Sequence, residues 1–173
     1  MISAIVAVDE NYGIGYKGNL LCRIRSDLDR FRRLTTGNIV VMGRKTWDSL
    51  PTKPLPNRTN IVITNNVDEF ELKNGVIFTT LDLLKETICE IGEIYDVFVI
   101  GGSQIYKELL PYCKILHLTK IHKSFEEIDA YFPKIEEDEN WKAEIIGDIF
   151  STDNGTEYQF CVYENLLMKQ GET

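Results

Sequence analysis

Asp27 is the acidic residue whose surroundings best suit chemistry on a bound ring. It falls in the first turn of a predicted helix, and Phe31 follows four positions later. Residues at that spacing share one face of a helix, so the carboxylate and the aromatic ring lie together, with Leu28 beside them. A carboxylate that faces an apolar cleft needs hydrogen-bond donors, and the adjacent N–H groups of an amino-pyrimidinone edge would satisfy both oxygens. The alternative is a stabilising charge at the helix start.

Two glycine-bearing turns each follow an apolar run and open a predicted helix. Gly43–Thr46 follows the run Ile39–Met42, and Gly101–Gln104 follows the run Val97–Ile100. A helix start offers free N–H groups and a positive dipole end, which suit a phosphate, and Arg44 suits the 2′-phosphate of NADPH. Each turn alone could equally be an ordinary helix start. Together, at the carboxyl ends of two parallel strands, they favour a dinucleotide site.

The segment Gly13–Gly18 matches the pattern GxGxxG but does not fit a Rossmann fingerprint. That fingerprint opens a helix directly and is followed about 20 positions later by an acidic residue at a strand end. Here Asn19–Cys22 precedes the helix, and the second strand ends in Gly43 and Arg44. We interpret residues 9 to 25 as a mobile loop over a site.

Composition excludes several other classes of protein. The net charge of −8 argues against a nucleic-acid partner, and the five arginines between positions 23 and 33 are predicted to form a solvated helix face. The apolar run Ile2–Val8 is too short to span a membrane, and no signal peptide is recognisable. His117 and His122 lack metal-ligand spacing, so no metal site is predicted. Four cysteines without a CxxC pair indicate reduced thiols and a cytoplasmic location.

Strand and helix patterns alternate along most of the chain, which predicts an α/β fold. The predicted strands are Ile2–Val8, Ile39–Met42, Ile61–Thr64, Val76–Phe78, Val97–Ile100 and Ile115–Ile121. The predicted helices are Ser26–Leu34, with Ser26 as N-cap, Arg44–Leu50, Leu81–Ile91 and Ser103–Leu110. Asn154-Gly155 joins two further strands, Trp141–Ser151 and Thr156–Leu166, in an antiparallel hairpin. We expect one domain, residues 1–173, with a mostly parallel twisted sheet of about eight strands and helices on both faces.

These pieces resemble bacterial-type dihydrofolate reductases over essentially the full length of the chain. They occur in the order of that family and close to its spacing, and together they are highly specific. The matching pieces are Ile2–Ala7, Ile14-Gly15, Asp27-Leu28 with Phe31, Val41–Trp47, Leu55–Arg58, Val99–Gly102, Ile105-Tyr106, Leu118-Thr119 and Phe132-Pro133.

The resemblance implies NADPH-dependent reduction of 7,8-dihydrofolate to 5,6,7,8-tetrahydrofolate, with hydride transfer to pterin C6 and protonation at N5 assisted by Asp27. It places the substrate against Ile5, Leu28, Phe31, Leu50, Arg58, Ile100 and Thr119, with Arg58 pairing with the glutamate tail. It places NADPH against Ala7, Ile14, Gly43, Arg44, Lys45, Thr46, Thr64, Gly102, Ser103, Gln104 and Tyr106. The family's Gly-Gly bond is usually cis. Antifolate inhibitors are expected ligands, no metal is required, and a monomer is the expected state.

The loop before Asp27 departs from the family's pattern. Leu21-Cys22 stands where the family has Pro-Trp, and Ile24-Arg25 stands where it has Leu-Pro. A cysteine cannot supply an indole N–H donor, and loss of two prolines makes a loop less rigid. These changes bear on loop closure, the proton path and inhibitor affinity. Gln104 also replaces a common arginine, which leaves cofactor charge pairing to Arg44 and Lys45.

Two alternatives remain open at this point. A pyrimidine reductase of riboflavin synthesis would share the fold and the NADPH turns, but it gives no reason for the spacing of Asp27 and Phe31. A folate-binding protein without turnover would follow if the change at Leu21-Cys22 disables catalysis.

Overall fold

The computed structural model describes residues 1–171, in which helices flank a nine-stranded sheet. The strands are β1 Ile2–Val8, β2 Gly13–Tyr16, β3 Asn19–Leu20, β4 Ile39–Gly43, β5 Thr59–Ile63, β6 Glu71–Lys73, β7 Val76–Thr79, β8 Val97–Val99, β9 Ile115–Ile121, β10 Ala130–Tyr131, β11 Trp141–Ser151 and β12 Glu157–Asn165. The α-helices are α1 Arg25–Thr35, α2 Arg44–Ser49, α3 Leu81–Ile94 and α4 Ser103–Leu109. Short 3-10 helices cover Leu110–Tyr112, Ile135–Glu137 and Leu166–Gly171.

The large sheet has the strand order β11-β12-β9-β1-β8-β4-β5-β7-β6. Its central strands pair in parallel, because each is connected to the next through a helix or a long segment. β12 and β11 pair in an antiparallel manner at one edge, and β6 does so at the other. The predicted parallel α/β sheet with a C-terminal hairpin is confirmed.

The central strands are apolar on both alternations because both faces of the sheet are covered. Val40, Val41, Met42 and Val99 are fully buried in β4 and β8. Leu84 of α3 is also fully buried against the sheet core. This packing fixes the carboxyl ends of β4 and β8, where both glycine turns begin.

The segment predicted to be a mobile loop contains secondary structure. β2 and β3 form a hairpin, and β10 pairs with β2, giving a second sheet of three strands. The buried Asp9 carboxylate anchors this sheet: it accepts the backbone N–H groups of Asn11 (2.9 Å), Gly13 (2.7 Å) and Phe125 (3.2 Å). The mobility of this segment stays a prediction.

Two local predictions were wrong. Ser26 is not the N-cap of α1, because the helix begins one residue earlier and Ile24 occupies that position. The Ser26 hydroxyl instead lies 2.5 Å from the hydroxyl of Tyr158. The arginines are not all solvated, since Arg30 is partly buried between α1 and the sheet.

Across residues 1–171, no helix combines the length and the apolar character needed to cross a bilayer.

Candidate active site

Asp27 lies on the face of α1 that meets β9. The hydroxyl of Thr119 donates a hydrogen bond of 2.6 Å to Asp27 Oδ1. Burial raises the pKa of the Asp27 carboxyl, while the Thr119 hydrogen bond and the charge of Arg30 each oppose part of that rise. A carboxyl whose pKa is raised by desolvation can carry a proton closer to neutral pH than an exposed one.

Strand register explains why Thr119 meets this helix. Ala7 of β1 and Phe160 of β12 both pair with Thr119, and Ile5 pairs with His117. Because side chains alternate along a strand, these five residues share one face of the sheet. α1 covers that face, so its inward side chains meet groups from three neighbouring strands.

The predicted apolar walls come together beside Asp27. Ile5 belongs to a buried cluster against which Phe31, Leu50 and Ile100 pack. Leu28 projects outside this cluster and is 38% exposed. A flat heterocycle between these groups would lose most of its hydration, which strengthens any hydrogen bond to Asp27.

Arg58 is held at the rim of the same apolar cluster. Its Nη1 donates to Thr35 Oγ1 at 3.0 Å, and its Nε donates to the Pro56 carbonyl at 2.9 Å. The guanidinium carbon lies 5.8 Å from the ring centroid of Phe31. These contacts fix the planar guanidinium in place, and a fixed fork of this kind suits a carboxylate.

The two predicted glycine turns meet in space. The Gly43 N–H donates to the Gly101 carbonyl at 2.8 Å, which joins the carboxyl ends of β4 and β8. The Gly101–Gly102 peptide bond is cis, as expected, and Gly101 has a φ of +122°. A Cβ added at Gly102 would lie 3.3 Å from Thr46 Oγ1, so a side chain at this position would crowd the turn.

Polar groups at these turns fit a phosphate-bearing cofactor. The Ser103 hydroxyl is buried and has no hydrogen-bond partner among the described residues. Arg44 pairs with Asp48 at 3.1 Å, but both side chains are 56% exposed, so the arginine can be recruited by a ligand. Lys45 is exposed. Unsatisfied buried hydroxyls are uncommon, and a bound acceptor is one explanation for this one.

The remaining predicted cofactor residues differ in their surroundings. Gln104 donates to Glu108 Oε1 at 3.1 Å, and the N–H of Thr64 donates to the Thr79 carbonyl at 2.9 Å, just past β5. Tyr106 is buried, and its hydroxyl donates to the Ile5 carbonyl at 2.7 Å.

Ala7 and Ile14 pack against different apolar clusters. The structure therefore does not bring these two residues into one cluster. Among the described residues, no group of acidic, histidine or cysteine side chains could hold a metal ion.

Sequence reasoning missed Arg30 and His117. Arg30 Nη2 lies 3.4 Å from His117 Nδ1, between α1 and the sheet. Arg30 follows Asp27 by three positions, and His117 precedes Thr119 by two. Helix periodicity therefore places Arg30 beside Asp27, and strand periodicity places His117 beside Thr119. Because Asp27 and Thr119 were identified from the sequence, these spacings could have pointed to Arg30 and His117 as well.

Comparisons with known proteins identify the family to which this chain is similar. A family model described as dihydrofolate reductase matches residues 1–165. A dihydrofolate reductase of Bacillus subtilis (strain 168) is 40% identical over 171 residues, covering 95% of this chain and 94% of that protein. One of Drosophila melanogaster is 40% identical over 143 residues, covering 76% and 78%. A solved dihydrofolate reductase from Enterococcus faecalis, complexed with NADP(H) and RAB-propyl, superposes with a TM-score of 0.81 at 33% identity, covering 95% and 96%.

Proposed function

We propose a mechanism from the premise that this chain belongs to the dihydrofolate reductase family, with Asp27 as the group that binds the pterin and assists its protonation. The chain is an NADPH-dependent dihydrofolate reductase, which converts 7,8-dihydrofolate to 5,6,7,8-tetrahydrofolate. The observation that carries the mechanism is the partly buried Asp27 carboxyl, bonded to Thr119 and bordered by the apolar cluster around Ile5.

The glycine turns and their neighbours would hold NADPH. Ser103 offers a buried hydroxyl with no hydrogen-bond partner within residues 1–171, Gly102 offers a backbone without a side chain, and Arg44 and Lys45 offer exposed positive charge. The other proposed contacts are Ala7, Ile14, Gly43, Thr46, Thr64, Gln104 and Tyr106. When bound, NADPH supplies the hydride that the reaction requires.

Asp27 has two tasks in this mechanism. Its carboxylate oxygens accept the adjacent N–H groups of the pterin's amino-pyrimidinone edge, which fixes the ring in the cleft. Its raised pKa also favours delivery of a proton toward N5, so that the ring does not accept hydride as an unstable anion. Thr119 keeps Oδ1 oriented through its hydrogen bond.

The walls and the rim of the cleft complete the binding of substrate. Ile5, Phe31, Leu50 and Ile100 exclude water from the ring, with Leu28 covering its outer side. Arg58 binds the α-carboxylate of the glutamate tail through its fixed guanidinium. Antifolates that present an amino-pyrimidine edge would use the same carboxylate and the same walls.

The loop residue Cys22 packs with Ile24 and Tyr158 in a small apolar cluster. It cannot donate a hydrogen bond comparable to that of an indole, so proton delivery in this chain depends more heavily on Asp27 itself.

We also propose that the protein is a single domain over residues 1–173 and a cytoplasmic monomer. Its net charge of −8 argues against a nucleic-acid partner.

The direct test follows NADPH oxidation with dihydrofolate and, separately, with an aminopyrimidine of the kind reduced in riboflavin synthesis. We expect turnover of dihydrofolate alone. We expect Asp27→Asn to abolish most of that turnover at pH 7, whereas Asp29→Asn, an exposed carboxylate on the same helix, should retain it. Tight dihydrofolate binding without NADPH oxidation in the unmodified protein would contradict the proposal and indicate a binding protein.

A further inference from the structure

Arg30 is the one arginine of the 23–33 cluster that the fold encloses. Its guanidinium carbon lies 4.8 Å from the ring centroid of Phe160, and its Nη2 lies 3.4 Å from His117 Nδ1. Its Nη1 is buried and has no hydrogen-bond partner among the described residues. The four other arginines, at positions 23, 25, 32 and 33, are exposed. A cation removed from water requires compensating interactions, so this placement needs a reason.

The contact with His117 fixes the state of the imidazole. A guanidinium has only donor hydrogens, so Nδ1 of His117 must accept and therefore carries no proton. Burial, together with the charge of Arg30, lowers the pKa of His117 to about 4. The histidine is therefore neutral near pH 7 and holds Arg30 without adding a second positive charge.

The charged and titratable groups within electrostatic reach of Arg30 come from three elements. Asp27 and Arg33 lie on α1, and His117 lies on β9. Cys161 lies on β12, but its side chain points to the opposite face of the sheet, because it alternates with Phe160. Asp27 is the only carboxylate in that set, and it sits one helical turn before Arg30 on the same face of α1. The guanidinium is held by His117 and the ring of Phe160, and its charge acts on the Asp27 carboxyl one helical turn away without a direct ion pair.

We propose that Arg30 is a positioning residue for the reduction: its enclosed, permanent positive charge favours the anionic form of Asp27, the form that binds the pterin edge. The inference rests on the proposed role of Asp27. The hydroxyl of Tyr106 on α4 is also within electrostatic reach of Asp27, but it donates to the Ile5 carbonyl and bears no charge at neutral pH, because burial raises its pKa.

The arrangement balances opposing effects on one carboxyl. Burial raises the pKa of Asp27, and both the Thr119 hydrogen bond and the Arg30 charge lower it. Without a guanidinium at position 30, burial is less opposed, so Asp27 retains its proton to a higher pH. Arg30 therefore sets the upper limit of the pH range in which Asp27 delivers a proton.

The test compares Arg30→Met, Arg30→Lys and the control Arg33→Met, which removes the same charge from an exposed position of α1. Single-turnover hydride transfer is measured from pH 5 to pH 9, and each profile is normalised to its own plateau. We expect Arg30→Met to extend activity to higher pH, with a normalised rate at pH 8.5 roughly threefold or more above that of the unmodified protein. Arg30→Lys should restore most of the original profile, and Arg33→Met should leave it unchanged.

A second readout separates this inference from the proposed function. The carboxyl ¹³C resonance of Asp27, assigned with Asp27→Asn, is titrated in the unmodified protein and in Arg30→Gln, which keeps an N–H donor for His117. We expect Asp27 to titrate at higher pH in the variant. Superimposable titration curves would overturn the role of Arg30, whatever the activity of Asp27→Asn. An equal shift in Arg30→Met and Arg33→Met would also overturn it, by revealing a general charge effect.

Discussion

The buried hydroxyl of Ser103 is a proposed contact for NADPH. Because that buried hydroxyl has no partner among the described residues, its removal should not weaken the fold. We expect Ser103→Ala to reduce NADPH affinity about 3- to 10-fold, the value of one lost hydrogen bond, with no fall in melting temperature. Ser26→Ala is the matched control, because its hydroxyl is bonded to Tyr158, and it should lose stability but keep NADPH affinity. Stability is measured by calorimetry and NADPH affinity by fluorescence titration. If Ser103→Ala loses stability but keeps its NADPH affinity, the hydroxyl has a structural role instead.

At position 58 an arginine and a lysine would carry the same charge but differ in the geometry with which they can bind a carboxylate. Its guanidinium is fixed by Thr35 and by the Pro56 carbonyl, and a planar fork held in this way suits the carboxylate that we propose it binds. We expect Arg58→Lys to raise the KM for dihydrofolate about 10-fold with little change in kcat, because a lysine cannot make the bidentate contact. A pteridine substrate without the glutamate tail should show the same KM in both proteins. A tenfold effect on that truncated substrate would place Arg58 elsewhere in the mechanism.

At the scale of elements, the Asp9 carboxylate joins β1, the β2–β3 hairpin and the segment before β10. It is fully buried and accepts three backbone N–H groups. In Asp9→Asn, the side-chain NH2 group would face at least one of these N–H groups, and that N–H would lose its acceptor. We expect Asp9→Asn to destabilise the protein by about 2–3 kcal/mol. Amide exchange at Gly13 and Phe125 should accelerate with it. Asp129→Asn, whose exposed carboxylate accepts one N–H from Lys17, should cost much less. Equal losses from both variants would show that Asp9 is not the anchor.

Elements were predictable where a local pattern determines the structure. Ile2–Val8, Ile115–Ile121 and Trp141–Ser151 agree with the predicted bounds to the residue, because long apolar runs and an Asn-Gly turn define them. β6 and β10 were not predicted. They are three and two residues long, and only pairing with β7 and β2 makes them strands.

The features of the candidate site were likewise predictable only where they depend on local sequence patterns. The glycine turns and the position of Asp27 and Phe31 on one helix face follow from sequence spacing, because both depend on local patterns. The Asp27–Thr119 bond joins residues 92 positions apart, and only the resemblance to a known family suggested it. Arg30 was misjudged, since its enclosure depends on His117 and Phe160, which the register of β9 and β12 brings beneath α1.

The whole molecule should lose stability on mild acidification because of His117. Its pKa is about 4 in the folded protein and about 6.5 when unfolded, so the unfolded chain binds more protons between those values. Stability from this group is therefore complete above pH 6.5 and falls as the pH drops toward 4. Allowing for partial exposure, we expect a loss of about 2 kcal/mol over that window.

The check is urea unfolding of the unmodified protein and of His117→Gln at several pH values. Glutamine can still accept a hydrogen bond from Arg30 but does not titrate, so its stability curve should be flatter between pH 6.5 and pH 4. Parallel curves for the two proteins would show that His117 does not govern this loss. Asp27 acts in the opposite direction: its raised pKa adds stability as the pH falls toward the ordinary carboxyl pKa of 3.8.

The proposed mechanism is tested most directly by the pH dependence of single-turnover hydride transfer in the unmodified protein and in Asp27→Asn. We predict that the variant folds, binds NADPH normally and transfers hydride about 100- to 10,000-fold more slowly at pH 7. Its rate should recover in part as the pH falls and dihydrofolate arrives already protonated at N5. A variant that transfers hydride at pH 7 as fast as the unmodified protein would contradict the role assigned to Asp27.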